Sequence, residues 1–408
     1  MIEPLPGEKK YEEFFRIKRL PPYVFESVNT LKAELRKDGA DIIDFGFGNP
    51  DMPTPRHIID KLIETVQKPK TTGYSVSRGI LGLRQSCARY YKRRFGVDLD
   101  PADEIVATIG SKEGFANLAQ AITAPGDIIY APDPSYPLHA YGFIIAGATI
   151  QGIAALSANE YLAGVKAALA AADKPPMAVV VCFPSNPTGY IADLSFYEEI
   201  VALAKQHDFI VLSDLAYSEI YFTAEPPSIF QVEGAKDVAV ETISLSKTYS
   251  MAGWRMGFAV GSKRLIAALA RVKSYLDYGA FTPIQVAACA ALDGPQDCVE
   301  MARAVYRSRR DVMIESFARA GWNMPSPDGS MFIWAPIPEP FRHLGSVDFA
   351  KLLMREADVA VSPGVGFGAN GEGYVRLGLV ENEQRIRQAS RNIKAFFMRH
   401  AASDAKSV

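Results

Sequence analysis

Cysteine is scarce in this chain. Its 408 residues include four cysteines, and no two of them form a CxxC pair: Cys87, Cys182, Cys289 and Cys298. A disulfide framework and a metal site of the zinc type are therefore not predicted. The N-terminus has no apolar signal-peptide core, and no run approaches the ~20 apolar residues of a membrane span. These absences together predict a cytoplasmic protein.

An excess of charge of either sign is also missing. Lys and Arg number 44 against 46 for Asp and Glu, a formal net charge of −2, and no long basic or acidic block occurs. Nucleic-acid binding, which needs a basic patch, is therefore not predicted. Hydrophobic residues make up 48% and charged residues 22%, as in ordinary globular proteins. A chain of this length predicts two domains.

The middle of the chain alternates between short apolar runs and helical patterns, with the clearest helix at 196–206. The strand-like runs lie at 105–109, 127–131, 148–154, 177–183, 209–213, 238–245 and 258–260. This pattern favours an α/β domain whose largely parallel sheet is buried on both faces. Such sheets bind ligands beyond the carboxyl ends of their strands.

The pattern changes after a predicted amphipathic helix at 265–277. Long helical patterns at 298–320 and 382–400 enclose strand-like runs at 331–335 and 374–379. These elements predict a second, smaller α+β domain, which also takes in the N-terminal segment. The predicted bounds are 1–45 for the N-terminal arm and part of the small domain, 46–285 for the large domain, and 286–408 for the small C-terminal domain.

One lysine lies where a core strand ends. The stretch from Ser244 to Gly257 follows an apolar run, and in it Lys247 has small and hydroxylated neighbours, with Arg255 eight residues further on. An amine in such a place suits a Schiff base, while serine and arginine suit a phosphate. The alternative is a loop lysine placed by chance.

Three other turns follow strands of the same domain and carry polar groups. Asp214 ends an apolar run, where a buried carboxylate needs a partner such as a pyridinium nitrogen, and Tyr217 follows three residues later. Asn186 lies in a proline-rich turn, and Ser111 opens a helix whose N-terminus favours an anion. The alternatives are an N-cap aspartate, a simple turn and a capping serine.

These groups form a set that matches the needs of one cofactor. The amine, carboxylate, amide and phenol, with serines and an arginine for phosphate, each follow an apolar run of the α/β domain. Pyridoxal 5′-phosphate (PLP) needs a lysine for its aldehyde, a carboxylate for its ring nitrogen and anion-binding groups for its phosphate. The sequence therefore predicts a PLP site.

The chain also resembles the fold type I PLP enzymes, specifically the class I/II aminotransferases, from Leu20 to Val380. The Ser-Leu-Ser-Lys…Gly-Trp-Arg-Met-Gly stretch carries this resemblance. Four further motifs look like those of bacterial glutamate–pyruvate (alanine) transaminases, a branch that also holds LL-diaminopimelate aminotransferases. They are Tyr74-Ser-Val-Ser-Arg-Gly79, Ile109-Gly-Ser-Lys-Glu-Gly114, Asp133-Pro-Ser-Tyr-Pro137 and Lys273-Ser-Tyr-Leu-Asp-Tyr-Gly279.

The resemblance implies a mostly parallel seven-stranded sheet between helices and a role for each site residue. Lys247 is implied as the Schiff-base lysine and proton carrier, and Asp214 as the partner of the ring nitrogen. Other implied cofactor contacts are Asn186 and Tyr217 at the ring oxygen, Tyr136 on the ring face, and Ser111, Lys112, Ser244 and Arg255 at the phosphate. Tyr74 is implied to reach the phosphate of a partner subunit. Arg376 is implied to bind the substrate α-carboxylate, with Gly48 and Asn186 as further substrate contacts.

The implied activity is ping-pong transamination between L-alanine and 2-oxoglutarate by a homodimer with active sites at the subunit interface. Alternatives are an aminotransferase for LL-diaminopimelate, aspartate, methionine or aromatic amino acids, and a PLP-dependent C–S lyase. A PLP-fold ligand-sensing regulator would need a DNA-binding domain, and about 40 residues precede the first predicted strand. Candidates for selecting the substrate side chain are Phe15, Tyr23, Phe47, Tyr275 and Tyr278.

Overall fold

The computed structural model describes residues 14, 16–22 and 24–404 of the chain. The strands are β1 (Ile43–Asp44), β2 (Ile105–Thr108), β3 (Ile128–Asp133), β4 (Thr149–Ala154), β5 (Ala178–Val181), β6 (Ile210–Asp214), β7 (Ala239–Ser244), β8 (Gly257–Gly261), β9 (Phe332–Pro336), β10 (Val359–Ala360), β11 (Ser362–Pro363) and β12 (Tyr374–Gly378). Each strand-like run predicted from the sequence contains or overlaps one of these strands.

The helices surround the strands in chain order. They are α1 (Val24–Lys37), α2 (Arg56–Val66), α3 (Leu81–Phe95), α4 (Ser111–Ile122), α5 (Leu138–Ala146), α6 (Ala158–Ala171), α7 (Leu194–His207), α8 (Ala235–Val238), α9 (Leu245–Thr248), α10 (Lys263–Leu276), α11 (Thr282–Asp293), α12 (Asp297–Arg319), α13 (Gly345–Ala357) and α14 (Glu383–Asp404). Short 3₁₀ turns lie at Ile17–Arg19, Ile229–Gln231, Ala252–Trp254, Glu339–Leu344, Gly364–Phe367 and Ala369–Gly371. Among the residues that the structure describes, no helix is long and apolar enough to cross a bilayer.

A seven-stranded sheet forms the centre of the larger part. Its strand order is β2-β8-β7-β6-β5-β3-β4. Strand β8 runs antiparallel to both of its neighbours, and the other pairs are parallel. The predicted α/β fold with a mostly parallel seven-stranded sheet is confirmed.

Helices cover both faces of this sheet. Val180 packs in the cluster that includes Phe115 of α4 and Leu269 of α10. Its neighbour Val181 packs in the cluster that includes Tyr197 of α7. Successive side chains of one strand point to opposite faces, so a strand covered on both sides needs apolar residues at every position. This explains the unbroken apolar runs in the sequence.

The smaller part has its own core. Strands β11-β12-β9 form an antiparallel sheet, and β1 near the N-terminus pairs in parallel with β10 near the C-terminus. Strand β1 thus packs with C-terminal elements. The exact domain bounds of 1–45, 46–285 and 286–408 stay a prediction.

Candidate active site

The carboxyl ends of the parallel strands open into one cavity of about 550 Å³. Its walls come from the ends of the large sheet, from β9 and β12 of the small sheet, and from α1. Except for Tyr74, every residue predicted for the site lines it: Gly48, Ser111, Lys112, Tyr136, Asn186, Asp214, Tyr217, Ser244, Lys247, Arg255 and Arg376. Residues spread over more than 300 positions of the chain therefore meet in one place.

Lys247 lies on the short helix α9, directly after β7. The side chain of Ser244 caps this helix by accepting a hydrogen bond from the backbone N–H of Ser246. The Lys247 Nζ donates a hydrogen bond to the carbonyl of Gly48 at 2.7 Å. Burial, followed by the positive charges of Arg376 and Arg255, lowers the pKa of Lys247 from 10.5 to about 8. A sizeable fraction of this amine is therefore neutral near pH 7–8, as a nucleophile or a base requires.

Asp214 ends β6 and is buried against His139. The Nε2 of His139 donates to the Oδ2 of Asp214 at 2.9 Å, and the backbone N–H of Ala216 donates to its Oδ1 at 3.2 Å. The Ala216 contact is the turn-capping role considered for Asp214, but the carboxylate also lines the cavity and has a buried ring as its second partner. A carboxylate held in this way is suited to pair with a protonated ring nitrogen.

The first turn of α4 forms an anion cradle with Arg255. Gly110 is the N-cap residue with φ 78°, and no side chain caps the helix. Its first N–H groups are thus left for a ligand, and the capping role considered for Ser111 is not observed. A Cβ on Gly110 would clash with the Arg255 guanidinium, and one on Gly257 would lie 2.8 Å from the Ser111 nitrogen. Glycine at both positions lets the arginine and the helix end approach each other.

Arg376 reaches the cavity from the middle strand of the small sheet. Its Nη1 donates to the Oδ1 of Asn186 at 2.9 Å, and its Nη2 donates to the carbonyl of Gly46 at 3.2 Å. The Phe332 and Phe367 rings lie 3.9 and 4.6 Å from the guanidinium carbon. These contacts fix the plane of the guanidinium, which is suited to bind a carboxylate through two hydrogen bonds.

Comparison with known proteins agrees with this geometry. The model of the family "Aminotransferase class I and II" matches residues 40–393. The chain belongs to this family. It is 61% identical to the "Putative aminotransferase AatC" of Rhizobium meliloti (strain 1021) over 386 residues, 94% of this chain and 95% of that one. It is 51% identical to the "Glutamate-pyruvate aminotransferase AlaC" of Escherichia coli (strain K12), covering 94% of this chain and 93% of the relative.

Further relatives extend the comparison to other aminotransferases. An LL-diaminopimelate aminotransferase of Moorella thermoacetica is 42% identical, with 94% of this chain and 98% of that one covered. Among solved structures, substrate-bound BacF of Bacillus subtilis has a TM-score of 0.87 at 35% identity, covering 93% and 96% of the two chains. A Thermus thermophilus aspartate aminotransferase variant also has a TM-score of 0.87, at 28% identity with 94% and 99% covered. The predicted family, enzyme class and fold are confirmed.

The cofactor of this aminotransferase family is PLP, which confirms the predicted cofactor. The cavity offers what PLP requires: an amine at Lys247, a carboxylate at Asp214, and the uncapped end of α4 beside Arg255. Asn186 uses its amide oxygen toward Arg376, and among the described residues no acceptor pairs with its Nδ2. That N–H group is available to a ligand, and its predicted contact with the ring oxygen stays a prediction. The donor set therefore fits PLP.

Aromatic side chains complete the walls of the cavity. Tyr136, between β3 and α5, has the Lys112 Nζ 5.9 Å from its ring centroid. Tyr217 is buried with its ring edge on Phe332, and burial raises its pKa well above 10. A phenol kept protonated in this way can donate a hydrogen bond to a ring oxygen.

Tyr74 lies outside this cavity, and its side chain is 91% exposed. Its ring contacts Tyr278, 4.9 Å away between centroids. Of the candidates for side-chain selection, Phe47 lines the cavity, whereas Tyr275 and Tyr278 do not. Phe15 and Tyr23 lie outside the described residues. Within one chain, Tyr74 thus has no access to the other site residues.

Sequence reasoning missed several residues of the site. His139 stands alone in an apolar helix, and this isolation was the one available signal. Phe332 and Phe367, which flank Arg376, read as ordinary core residues. The predicted absence of a metal stays a prediction. Among the described residues, the ligand atoms of His139, Cys182 and Asp214 lie within 4.8 Å of one another, but Asp214 already pairs with His139.

Proposed function

We propose that this enzyme moves an amino group between L-alanine and 2-oxoglutarate by a ping-pong mechanism. The observation that carries the transamination chemistry is Lys247, whose lowered pKa of about 8 occurs in the same cavity as Asp214 and Arg376. The choice of L-alanine is supported by the 51% identity to the glutamate–pyruvate aminotransferase AlaC. It is also supported by the four sequence motifs shared with that branch.

In this proposal each side chain has a defined task. When bound, PLP supplies an electron sink for the bond that breaks at the substrate Cα. Asp214, oriented by His139, keeps the ring nitrogen protonated, and Arg376 holds the substrate α-carboxylate with Gly48 beside it. Lys247 would accept the proton from the substrate Cα and return it later in the reaction, because its amine is partly neutral near physiological pH.

The remaining groups hold the cofactor. Ser111, the backbone of Lys112, Ser244 and Arg255 bind the phosphate through the uncapped end of α4 and one fixed cation. Asn186 and Tyr217 donate to the ring oxygen, and Tyr136 lies on the ring face. None of these groups needs to move far, since all of them already line one cavity.

We also propose a homodimer with active sites at the subunit interface. The Tyr74 and Tyr278 rings contact each other and are 91% and 63% exposed, and the segment 275–281 that carries Tyr278 also exposes Tyr275, Leu276 and Phe281. A contiguous apolar surface on a folded chain favours association. The predicted role of Tyr74 at a phosphate requires a second copy, because this residue lies outside the cavity of its own chain.

An aminotransferase for LL-diaminopimelate is the second candidate. Six relatives with that name are 40–42% identical over at least 92% of this chain. LL-diaminopimelate is longer than L-alanine and ends in a second amino-acid group, which would need polar side chains in the cavity to bind it. Lys32 and Asp44 line the cavity and pair with each other at 2.8 Å. They supply one positive and one negative charge for the second ammonium and carboxylate groups of such a substrate.

A panel of amino donors tested against pyruvate and 2-oxoglutarate decides between these candidates. We expect the highest kcat/KM for L-alanine with 2-oxoglutarate, and Lys247→Ala should abolish both transamination and the visible absorbance of the lysine-linked cofactor. Lys174→Ala, at an exposed lysine, is the matched control. A Lys247→Ala variant with normal turnover would disprove the chemistry. A preference for LL-diaminopimelate would disprove the substrate.

We propose the cytoplasm as the location of this enzyme. All four cysteines are free thiols, and Cys87 and Cys182 are buried. Proteins of oxidising compartments commonly use cysteine pairs as disulfides. Fractionation of cells that carry an epitope-tagged chain is the direct test.

A further inference from the structure

A fully buried lysine outside the cavity has no role in the chemistry described above. Lys273 lies on α10 with 0% of its surface exposed. Its Nζ contacts Glu113 Oε1 and Asp277 Oδ2, both at 3.0 Å. A buried ammonium is tolerated only when it is closely paired, and here two carboxylates enclose it. We call Lys273, Glu113 and Asp277 the buried ion cluster.

Glu113 connects this cluster to the proposed phosphate site. It lies in the first turn of α4, where its Oε1 also accepts a hydrogen bond from the Asn117 amide. Its Oε2 accepts a hydrogen bond from the backbone N–H of Ile109 at 2.8 Å. Ile109 and Glu113 flank Gly110 and Ser111, so one carboxylate fixes both sides of the turn that presents the uncapped N–H groups. The position of Glu113 depends in turn on Lys273.

Asp277 connects the cluster to the exposed aromatic surface. Its Oδ1 accepts a hydrogen bond from the Gly279 N–H at 2.6 Å, and its backbone carbonyl accepts one from the Ser77 hydroxyl at 2.5 Å. Gly279 has φ 79°, and a Cβ there would lie 2.4 Å from the Val76 carbonyl. The segments 74–79 and 277–281 are thus tied to each other beside Asp277.

Gln285 strengthens this connection from α11. Its Nε2 donates to the Ser75 hydroxyl at 2.8 Å and to the Ala280 carbonyl at 2.6 Å, while its Oε1 accepts from the Ile80 N–H at 2.8 Å. The two segments carry Tyr74 and Tyr278, whose rings contact each other. The segments that carry Tyr74 and Tyr278 are therefore held together, and Asp277 connects them to α10.

We propose that Lys273 is a positioning residue that joins the phosphate-binding turn to the surface on which a second copy of this chain docks. This inference rests on the proposed homodimer and on the proposed phosphate role of the turn. Because one ammonium holds both carboxylates, its loss weakens cofactor binding and subunit association together. Lys273 touches neither the cofactor nor the substrate.

The decisive variant is Lys273→Met, which keeps an unbranched apolar side chain in the buried position and leaves two partly buried carboxylates without their cation. We expect the dissociation constant for PLP and that of the dimer each to rise at least 10-fold. At saturating PLP and high protein concentration, kcat should stay within about threefold of wild type. Arg271→Met, at an exposed cation two residues earlier on the same helix, is the control and should change none of these values.

Two single-carboxylate variants distinguish the connection to the phosphate-binding turn from the connection to the docking surface. They also test the inference if Lys273→Met does not fold. Glu113→Gln should raise the PLP dissociation constant more than that of the dimer, and Asp277→Asn should do the reverse. PLP binding is measured by equilibrium dialysis and dimerisation by analytical ultracentrifugation. These measurements need no substrate, so an enzyme inactive with L-alanine would disprove the proposed substrate and leave this inference intact.

Three outcomes would overturn the inference. The first is a folded Lys273→Met protein with both dissociation constants within twofold of wild type. The second is an equal rise of both constants in Glu113→Gln and Asp277→Asn, which would indicate general destabilisation. The third is a wild-type protein that sediments as a monomer, because then there is no second copy to dock.

Discussion

Replacing Lys247 by methionine should change the stability of the cofactor-free enzyme in a pH-dependent way. The folded protein holds the pKa of Lys247 at about 8, whereas its ordinary value is 10.5. Below pH 8 the folded chain must carry a buried ammonium beside two arginines, and the unfolded chain carries the same charge in water. Between pH 8 and 10.5 the unfolded chain binds more protons, so the stability of wild type rises with pH.

The size of the effect follows from the two pKa values. The difference between them (10.5 − 8) corresponds to a destabilisation of about 3 kcal/mol at pH 7 and below. At pH 9 the remaining destabilisation is about 2 kcal/mol, because the folded chain has then mostly lost the Lys247 proton and no longer carries the buried charge, whereas the unfolded chain still holds its proton. These values are upper limits, since part of the Lys247 side chain faces the open cavity. Methionine carries no charge and escapes this penalty at every pH.

Urea unfolding of the cofactor-free wild type and Lys247→Met at pH 6, 7, 8 and 9 measures the difference. The variant loses the hydrogen bond to the Gly48 carbonyl, worth about 1 kcal/mol, and this loss shifts the difference equally at each pH. We therefore expect the advantage of the variant to shrink by about 1 kcal/mol from pH 7 to pH 9. Lys174→Met should show no such slope. A difference that is constant with pH would refute a lowered pKa at Lys247.

Two further predictions concern buried groups. Glu241 is fully buried and accepts hydrogen bonds from Tyr91, Ser213 and Ser228, while burial raises its pKa above 4.5. Glu241→Gln should lower the free energy of unfolding by about 1–3 kcal/mol. That loss should shrink as the pH rises from 4.5 through the raised pKa, because ionising the buried acid then destabilises the wild type. A loss that grows with pH in urea titrations would contradict this. Gly48→Ala should raise KM for the amino acid more than it lowers kcat, since the added Cβ would lie 2.5 Å from the Phe332 ring. An unchanged KM would remove Gly48 from the substrate site.

Most of the large sheet could be predicted because burial on both faces leaves a continuous apolar run. Strand β5 is the clearest case, as all four of its residues, Ala178–Val181, are buried. The two-residue strands β10 and β11 could not be found in this way. Two residues are too few to show the alternation of apolar and polar side chains that distinguishes a strand from a loop. Strand β10 is placed by pairing with β1, which comes from a distant part of the chain, and β11 by pairing with β12.

The site could be predicted where its residues directly follow such runs. Asp214 and Lys247 stand out because a charged side chain beside a core strand needs a partner. Phe332 could not be assigned to the site, because its contact with Arg376 depends on the register between β9 and β12. In that register Trp334 lies opposite Arg376, and Phe332, two residues away, points to the same face. His139 likewise meets Asp214 only through the packing of α5 against the sheet edge.

The charges of the cavity serve two purposes at once. Arg376 and Arg255 are the proposed carboxylate and phosphate ligands, and they are also the two cations that help lower the pKa of Lys247. A cavity that binds two anions at fixed positions therefore makes its own lysine a weaker base without any added group. The same logic fits the pairing of Asp214 with His139 and not with Lys247. An ion pair to the lysine would favour its charged form and oppose the chemistry proposed for it.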